Sequence, residues 1–282
     1  MNTNCYRLEK LDYADGLLDI DATYIIHLEG NGRIDHIHEQ LTKYHPSNTV
    51  YILYNKGFKQ CEKKLHMDDS KIDLIDAFLS IFKDAQQKNY GTILILEDDF
   101  IFHEKIKDIQ VRKNVMSFLK KKENEPMIYM LGCLPFIQQP YDYYNNILLM
   151  GIGCHACIYT RNIREKILQK DQTKIIDWDY YTLFEEKRYL YHEPLCYQLF
   201  PETENQKNWF SFLGLKNILI YLFQTLKLDE QVEPGYSIFY MASKLLFVLL
   251  ILLLILLIIA TSVWIMRYHK KSKLFTNVKI RK

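Results

Sequence analysis

The stretch Ile93-Leu-Ile-Leu-Glu-Asp-Asp-Phe100 decides how the rest of the chain is read. Its first half is an apolar run of the kind that fills a strand buried on both faces, and it passes without a spacer into three consecutive acids. Ligands of open α/β sheets sit beyond the carboxyl ends of the strands, so acids placed there are costly unless something cationic shares the site. Side chains alternate along an extended segment, which sets Glu97 and Asp99 on one side and Asp98 on the other. Glu97 and Asp99 can thus approach a hard divalent cation together, directly or through water, and that cation can hold a diphosphate. The plain alternative is a solvated acidic turn after a strand.

The flanking sequence supports an α/β reading. Upstream, Ala22-Thr-Tyr-Ile-Ile-His-Leu28 and Thr49-Val-Tyr-Ile-Leu-Tyr54 are short, β-branched and aromatic, and stop at Glu29-Gly-Asn-Gly32 and Asn55-Lys-Gly57. Helical patterns fall between them over 33–44 and, behind Asp69 or Ser70 as a cap, over 69–88. Strands alternating with helices at this spacing predict a mostly parallel sheet. Downstream we expect a charged helix near 106–122, a strand at 127–131 ending at Gly132, a tyrosine-rich loop at 138–146, a strand region at 148–159, and helices at 161–169 and 182–187. Residues 1–21 are polar and read as a lead-in, and 22–208 as the main domain. The apolar helical pattern at 209–228 suits either an interfacial helix on a bilayer or a core helix, so 209–235 is read as a juxtamembrane amphipathic helix and linker.

Of the 282 residues, 49% are hydrophobic and 14% aromatic, with 10 Gly and 7 Pro, which excludes collagen-like and low-complexity chains. Before Leu245 there are 29 Lys/Arg against 34 Asp/Glu; after it come seven basic residues and no acid. A nucleic-acid partner is therefore not expected of the acidic body. Positions 245–266 carry no charge and would span roughly 33 Å as a helix, enough for a hydrocarbon core of about 30 Å. We read them as a transmembrane helix between Lys244 and Arg267, with Tyr240, Trp264 and Tyr268 at the interfaces and 267–282 as a basic tail. The basic tail favours a cytoplasmic C-terminus. The absence of a signal-peptide pattern in residues 1–22, of any Asn-X-Ser/Thr sequon and of a framework spacing among six cysteines favours a cytoplasmic main domain instead. The second set of signals is preferred here. Cys154-His-Ala-Cys157 is one isolated pair in a strand and makes no zinc motif.

Leu94-Ile-Leu-Glu-Asp-Asp-Phe100 resembles the Leu-Val-Leu-Glu-Asp-Asp-Val signature of glycosyltransferase family 25, the lipopolysaccharide and collagen galactosyltransferase group. Further stretches agree in order: Tyr24-Ile-Ile-His-Leu28 with Arg33, Tyr129-Met-Leu-Gly132, the segment 153–168, Ile176-Asp177-Trp178, and Pro194-Leu-Cys-Tyr-Gln198. The resemblance covers roughly residues 22–200. It departs from the family at His27, where Asn is usual, and at Asp73-Leu-Ile-Asp-Ala-Phe78, where the family carries Gly-Cys-X-X-Ser-His. The richness in Lys, Ile, Asn and Tyr is similar to that of members encoded by large DNA viruses.

The resemblance implies a GT-A-like nucleotide-sugar-binding domain and an inverting transfer of galactose or glucose from a UDP-sugar to a protein or glycan acceptor. Glu97 and Asp99, with His192 completing the shell, would bind Mn²⁺ or Mg²⁺. Asp177, with Asp179 in reserve, would take the acceptor's proton. Tyr24, Ile26, Leu28, Arg33 and Asp98 would border the nucleotide. A helix cap is the competing role for the two aspartates, and packing for the aliphatic residues. The alternative function is a tail-anchored adaptor with an inactive transferase-like fold. A phosphatase is disfavoured because the motif Asp-X-Asp-X-Thr at a strand end is absent: Asp99 is followed by Phe100 and Ile101.

Overall fold

The computed structural model describes residues 5–200 and 215–279. Along the chain come β1 (Tyr6–Asp12), β2 (Ala22–Leu28), α1 (Ile34–Lys43), β3 (Thr49–Asn55), α2 (Ser70–Gln87), β4 (Thr92–Glu97), β5 (Phe100–Phe102) and α3 (Ile109–Lys121). They are followed by β6 (Ile128–Pro140), β7 (Asn145–Thr160), α4 (Arg161–Leu168), α5 (Trp178–Glu185), β8 (Arg188–Tyr191), β9 (Cys196–Gln198), α6 (Leu215–Thr225) and α7 (Gly235–Lys279). Seven strands form one sheet in the order β1-β3-β2-β4-β7-β6-β8, and β5 pairs with β9 beside it. Strands β2, β3, β4, β6 and β8 run one way, β1 and β7 the other. The fold is thus α/β with a mostly parallel sheet.

Burial on both faces explains why β2 and β4 carry apolar side chains on both sides. Tyr24 and Ile26 enter the core that α2 covers, while Ile25 enters the one that α1 covers. Helix α2 starts where Asp69 accepts a hydrogen bond from the Lys71 amide at 2.7 Å, and it buries Ile72, Ile75, Phe78, Leu79 and Phe82. Phe78 stacks on Trp178 of α5 at 4.5 Å, so α2 and α5 share one aromatic layer. Each such side chain contributes about 1.5–3 kcal/mol of burial.

Three expectations are corrected. Residues 1–21 are more than a lead-in, because β1 pairs antiparallel with β3 from Tyr6 to Asp12 as an edge strand. Its charged outer residues, Arg7, Glu9 and Lys10, mask the apolar alternation and suit an edge. The tyrosine-rich segment is mostly strand: β6 and β7 form one long hairpin whose register shifts between Met130 and Gln138 break the two-residue period. The six cysteines, though without a framework spacing, include one bonded pair: Cys5 and Cys61 form a disulfide with Cα atoms 5.6 Å apart. That bond joins the start of β1 to the β3–α2 loop; Cys133, Cys154, Cys157 and Cys196 are free and buried.

Helix α7 has two parts. Tyr236, Phe239, Tyr240 and Ser243 share one face and are buried against the body. The Gln138 amide donates to the Tyr240 carbonyl at 3.3 Å and to the Ser243 hydroxyl at 2.7 Å. From Leu245 to Tyr268 the side chains are almost all exposed, and the stretch Gly235–Tyr268 is long and apolar enough to cross a membrane. Of the 209–235 segment, 209–214 lie outside the described residues. Helix α6 seats Phe223 between Phe200 and Phe239 and leaves Tyr221 and Leu222 exposed.

Candidate functional site

Strand β4 delivers its three acids to the carboxyl edge of the parallel strands, and the acids then part company. Asp98 turns toward the β2–α1 loop. Its carboxylate accepts from the Leu28 amide at 3.1 Å, Asn31 Nδ2 at 2.6 Å, Arg33 at 2.7 Å and His27 Nδ1 at 3.3 Å. Burial alone would raise its pKa, but the hydrogen bonds from His27 and Arg33 outweigh that and hold it below the usual range. Asp98 is therefore a charged anchor that orders the loop and points Arg33. The glycines flanking Asn31 permit this loop: Gly30 and Gly32 have φ of +81° and +77°.

Glu97 and Asp99 are in the opposite condition. Burial, and then the charges of Asp99, Asp179 and Asp98, push the Glu97 carboxyl well above its ordinary value. Asp99 is raised as well, by burial, against the opposing pull of Arg33. Its Oδ2 accepts from Arg33 at 2.9 Å and from Gln198 Nε2 at 3.0 Å, but its Oδ1 is buried with no partner. Asp179, in the first turn of α5, is the third member. It accepts from the consecutive amides of Gly153 and Cys154 at 2.9 and 3.0 Å, and burial raises its pKa. Gly153 has φ of +87°, the turn that lets two successive amides converge on one carboxylate. Acidic groups thus gather at this edge, with Arg33 bonded to Asp98 and Asp99.

Two residues outside the sequence-derived set complete the geometry. Gln198, from β9, is brought to Asp99 because β9 pairs with β5. Gln198 is itself held by the first turn of α7: its amide donates to the Tyr236 hydroxyl at 2.9 Å, and that hydroxyl donates to the Gln198 carbonyl at 3.1 Å. The run of contacts Tyr236–Gln198–Asp99 ties the start of the apolar helix to the acidic edge. Gly132 permits the close approach of this segment, since a Cβ there would stand 1.9 Å from the Cys196 carbonyl oxygen.

The remaining expected residues lie as follows. Asp177 is the N-cap of α5, accepting from the Tyr180 amide at 3.0 Å, and pairs with Lys71 at 3.1 Å. Tyr24 is fully buried and donates to Asp84 at 2.6 Å; Ile26 is core; Leu28, at the strand end, is 44% exposed. His192 contacts Tyr144 and Tyr191, and its carbonyl accepts from Lys244 at 2.6 Å. Nothing among its described contacts links it to Glu97 or Asp99. Among the described residues no group of three His, Cys, Asp or Glu side chains is placed to hold a metal by itself. Magnesium-type sites commonly take one or two carboxylates and complete the shell with phosphate and water, and the orphan Asp99 Oδ1 beside Glu97 fits that donor set.

No protein-family model and no curated protein matches the chain. Solved structures similar to it include A197 from STIV, at 14% identity over 64% of this chain and 85% of that one, with a TM-score of 0.39. Another is a glycosyltransferase involved in the glycosylation of the major capsid of PBCV-1, at 15% identity over 58% and 75% of the two chains, TM-score 0.34. A third is mannose-1-phosphate geranyltransferase from Thermus thermophilus, at 11% identity over 60% and 72%, TM-score 0.35. These are the chain's neighbours in shape, and two of the three are transferases by name.

Proposed function

We propose that the chain is a membrane-anchored glycosyltransferase of the family 25 type, which binds a nucleotide sugar and a divalent cation at the carboxyl edge of β4. The observation that carries this reading is the unpartnered, buried Asp99 Oδ1 beside Glu97, whose carboxyl is pushed upward by burial and by its acidic neighbours. Buried carboxylates that lack compensation favour a cationic ligand. Glu97 and Asp99 would hold Mn²⁺ or Mg²⁺, which when bound offsets charge on a departing diphosphate. Arg33, fixed by Asp98, faces the phosphates. Gln198 fixes the orientation of the Asp99 carboxylate. Asp179, whose pKa is raised by burial, takes the acceptor hydroxyl's proton, while Asp177 caps α5 and pairs with Lys71. Galactose or glucose carried on UDP, and a protein or glycan acceptor near the membrane, complete the proposal.

The disulfide and the basic tail together favour a body on the oxidising side of the membrane and a cytoplasmic C-terminus, against the orientation preferred from sequence. Protease protection in sealed vesicles decides between them.

One observation favours the adaptor reading: Arg33 bridges Asp98 and Asp99, so part of the acidic charge is already matched. Isothermal titration of Mn²⁺ with and without UDP into the full chain in nanodiscs separates the two. The transferase reading expects UDP binding to strengthen with Mn²⁺ and Asp99→Asn to remove that gain; the adaptor reading expects no metal-dependent change.

A further inference from the structure

We propose that the tip of the β6–β7 hairpin, carrying Tyr143 and Tyr144, inserts in the headgroup layer of the bilayer that α7 crosses. The inference rests on the membrane reading of α7 and is independent of catalysis. Strand β6 and the docked part of α7 advance in the same direction: Phe136 lies against Phe239, and Gln138 binds Tyr240 and Ser243. From Tyr240 to Lys244 the helix rises about 6 Å, and from Gln138 to Pro140 the strand advances about 7 Å, so the hairpin tip keeps level with Lys244.

A second tie fixes the same level. Lys244 donates to the His192 carbonyl at 2.6 Å, and the His192 amide donates to the Tyr144 carbonyl at 2.8 Å. Lys244 is the last charge before the uncharged stretch, so the tip stands where the hydrocarbon begins. Tyr143 is 85% exposed there, touching Tyr144 edge-on at 4.8 Å. An aromatic ring with a polar end gains by lying at a membrane interface. The opposite boundary is marked in the same way by the exposed, stacked pair Trp264 and Tyr268. Lys244 and Trp264 are about 30 Å apart along a helix, the thickness of a hydrocarbon core. The occupant is thus the lipid interface itself, continuous with the surface around α7.

The test uses the full chain in phosphatidylcholine nanodiscs, labelled with an environment-sensitive fluorophore at Tyr143→Cys, at the exposed Tyr180→Cys of α5, and at Leu254→Cys within the apolar stretch. The four unpaired native cysteines are buried. Headgroup-spin-labelled lipid is expected to quench position 143 at least about twofold more than position 180, and acyl-chain-labelled lipid to quench position 254. Quenching at 254 with position 143 behaving like position 180 overturns the inference alone. No quenching at 254 overturns the membrane reading and this inference with it.

Discussion

Two charge clusters, at the ends of β3 and β4 with β2 between them, are built to opposite rules. Beside β3, Lys63 donates to Asp73 at 2.5 Å, to Asn55 Oδ1 at 2.7 Å and to the Tyr6 hydroxyl at 2.8 Å, while Asn55 Nδ2 returns to Asp73 at 2.9 Å. Lys63 and Asp73 are almost fully buried, and each charge has its counterpart. Beyond β4, Glu97, Asp99 and Asp179 are half-buried; the charges of Asp99 and Asp179 raise the Glu97 pKa, and Asp99 Oδ1 has no partner. A closed network supports structure; an open one is held at a cost in stability and invites a ligand. Asp73 opens the segment Asp73–Phe78, whose Ala77 and Phe78 are fully buried in the core, so that segment serves packing here.

The contrast breaks most sharply under Lys63→Met. Leaving the buried Asp73 without its cation should cost about 3–5 kcal/mol. Thermal unfolding in nanodiscs checks this, and Mn²⁺ binding per folded molecule should persist. Asp99→Asn should do the reverse, costing about 100-fold in metal-supported UDP affinity, or about 2.7 kcal/mol, while leaving the melting temperature unchanged or higher. A large loss of stability from Asp99→Asn would place the acids in the structural class.

Proton linkage sharpens the comparison at the next level. Metal binding must expel the proton that Glu97 retains, so Mn²⁺ affinity should rise with pH by up to about tenfold per unit across the raised titration, and Glu97→Gln should flatten the slope. Without metal the sign reverses. The unfolded chain releases this proton near the ordinary glutamate value and the folded chain holds it, so stability falls as pH rises from there through the folded pKa. The smallest expected effect belongs to the link with the anchor. Tyr236→Phe removes two hydrogen bonds to Gln198, and metal-supported UDP affinity should fall about three- to tenfold while the body stays folded.

What the sequence discloses follows from how local each feature is. The apolar-to-acidic switch at 93–100, the strands at β2 and β3 and the uncharged run from Leu245 are all written in consecutive residues, and all were legible. Strand β1 was not, because its edge position tolerates charges that hide the alternation. The β6–β7 hairpin was read in pieces because bulges shift its period. Gln198 was visible only through the family resemblance, and Tyr236 not at all, since their meeting with Asp99 depends on strand pairing and helix docking across distant sequence. The Cys5–Cys61 bond has the same character: its partners are 56 residues apart and join only once β1 closes the sheet edge. The resemblance put Asp177 first and Asp179 in reserve. The start of α5 distinguishes them, turning one into a cap and the other toward Glu97.

The most direct test is an anomalous-scattering map of the full chain crystallised with Mn²⁺ and UDP. The account predicts one strong peak in contact with Asp99 Oδ1 and the Glu97 carboxylate, with the diphosphate between the peak and Arg33. A map with no peak at this edge, and with Arg33 still bridging Asp98 and Asp99 in the presence of both ligands, would contradict it.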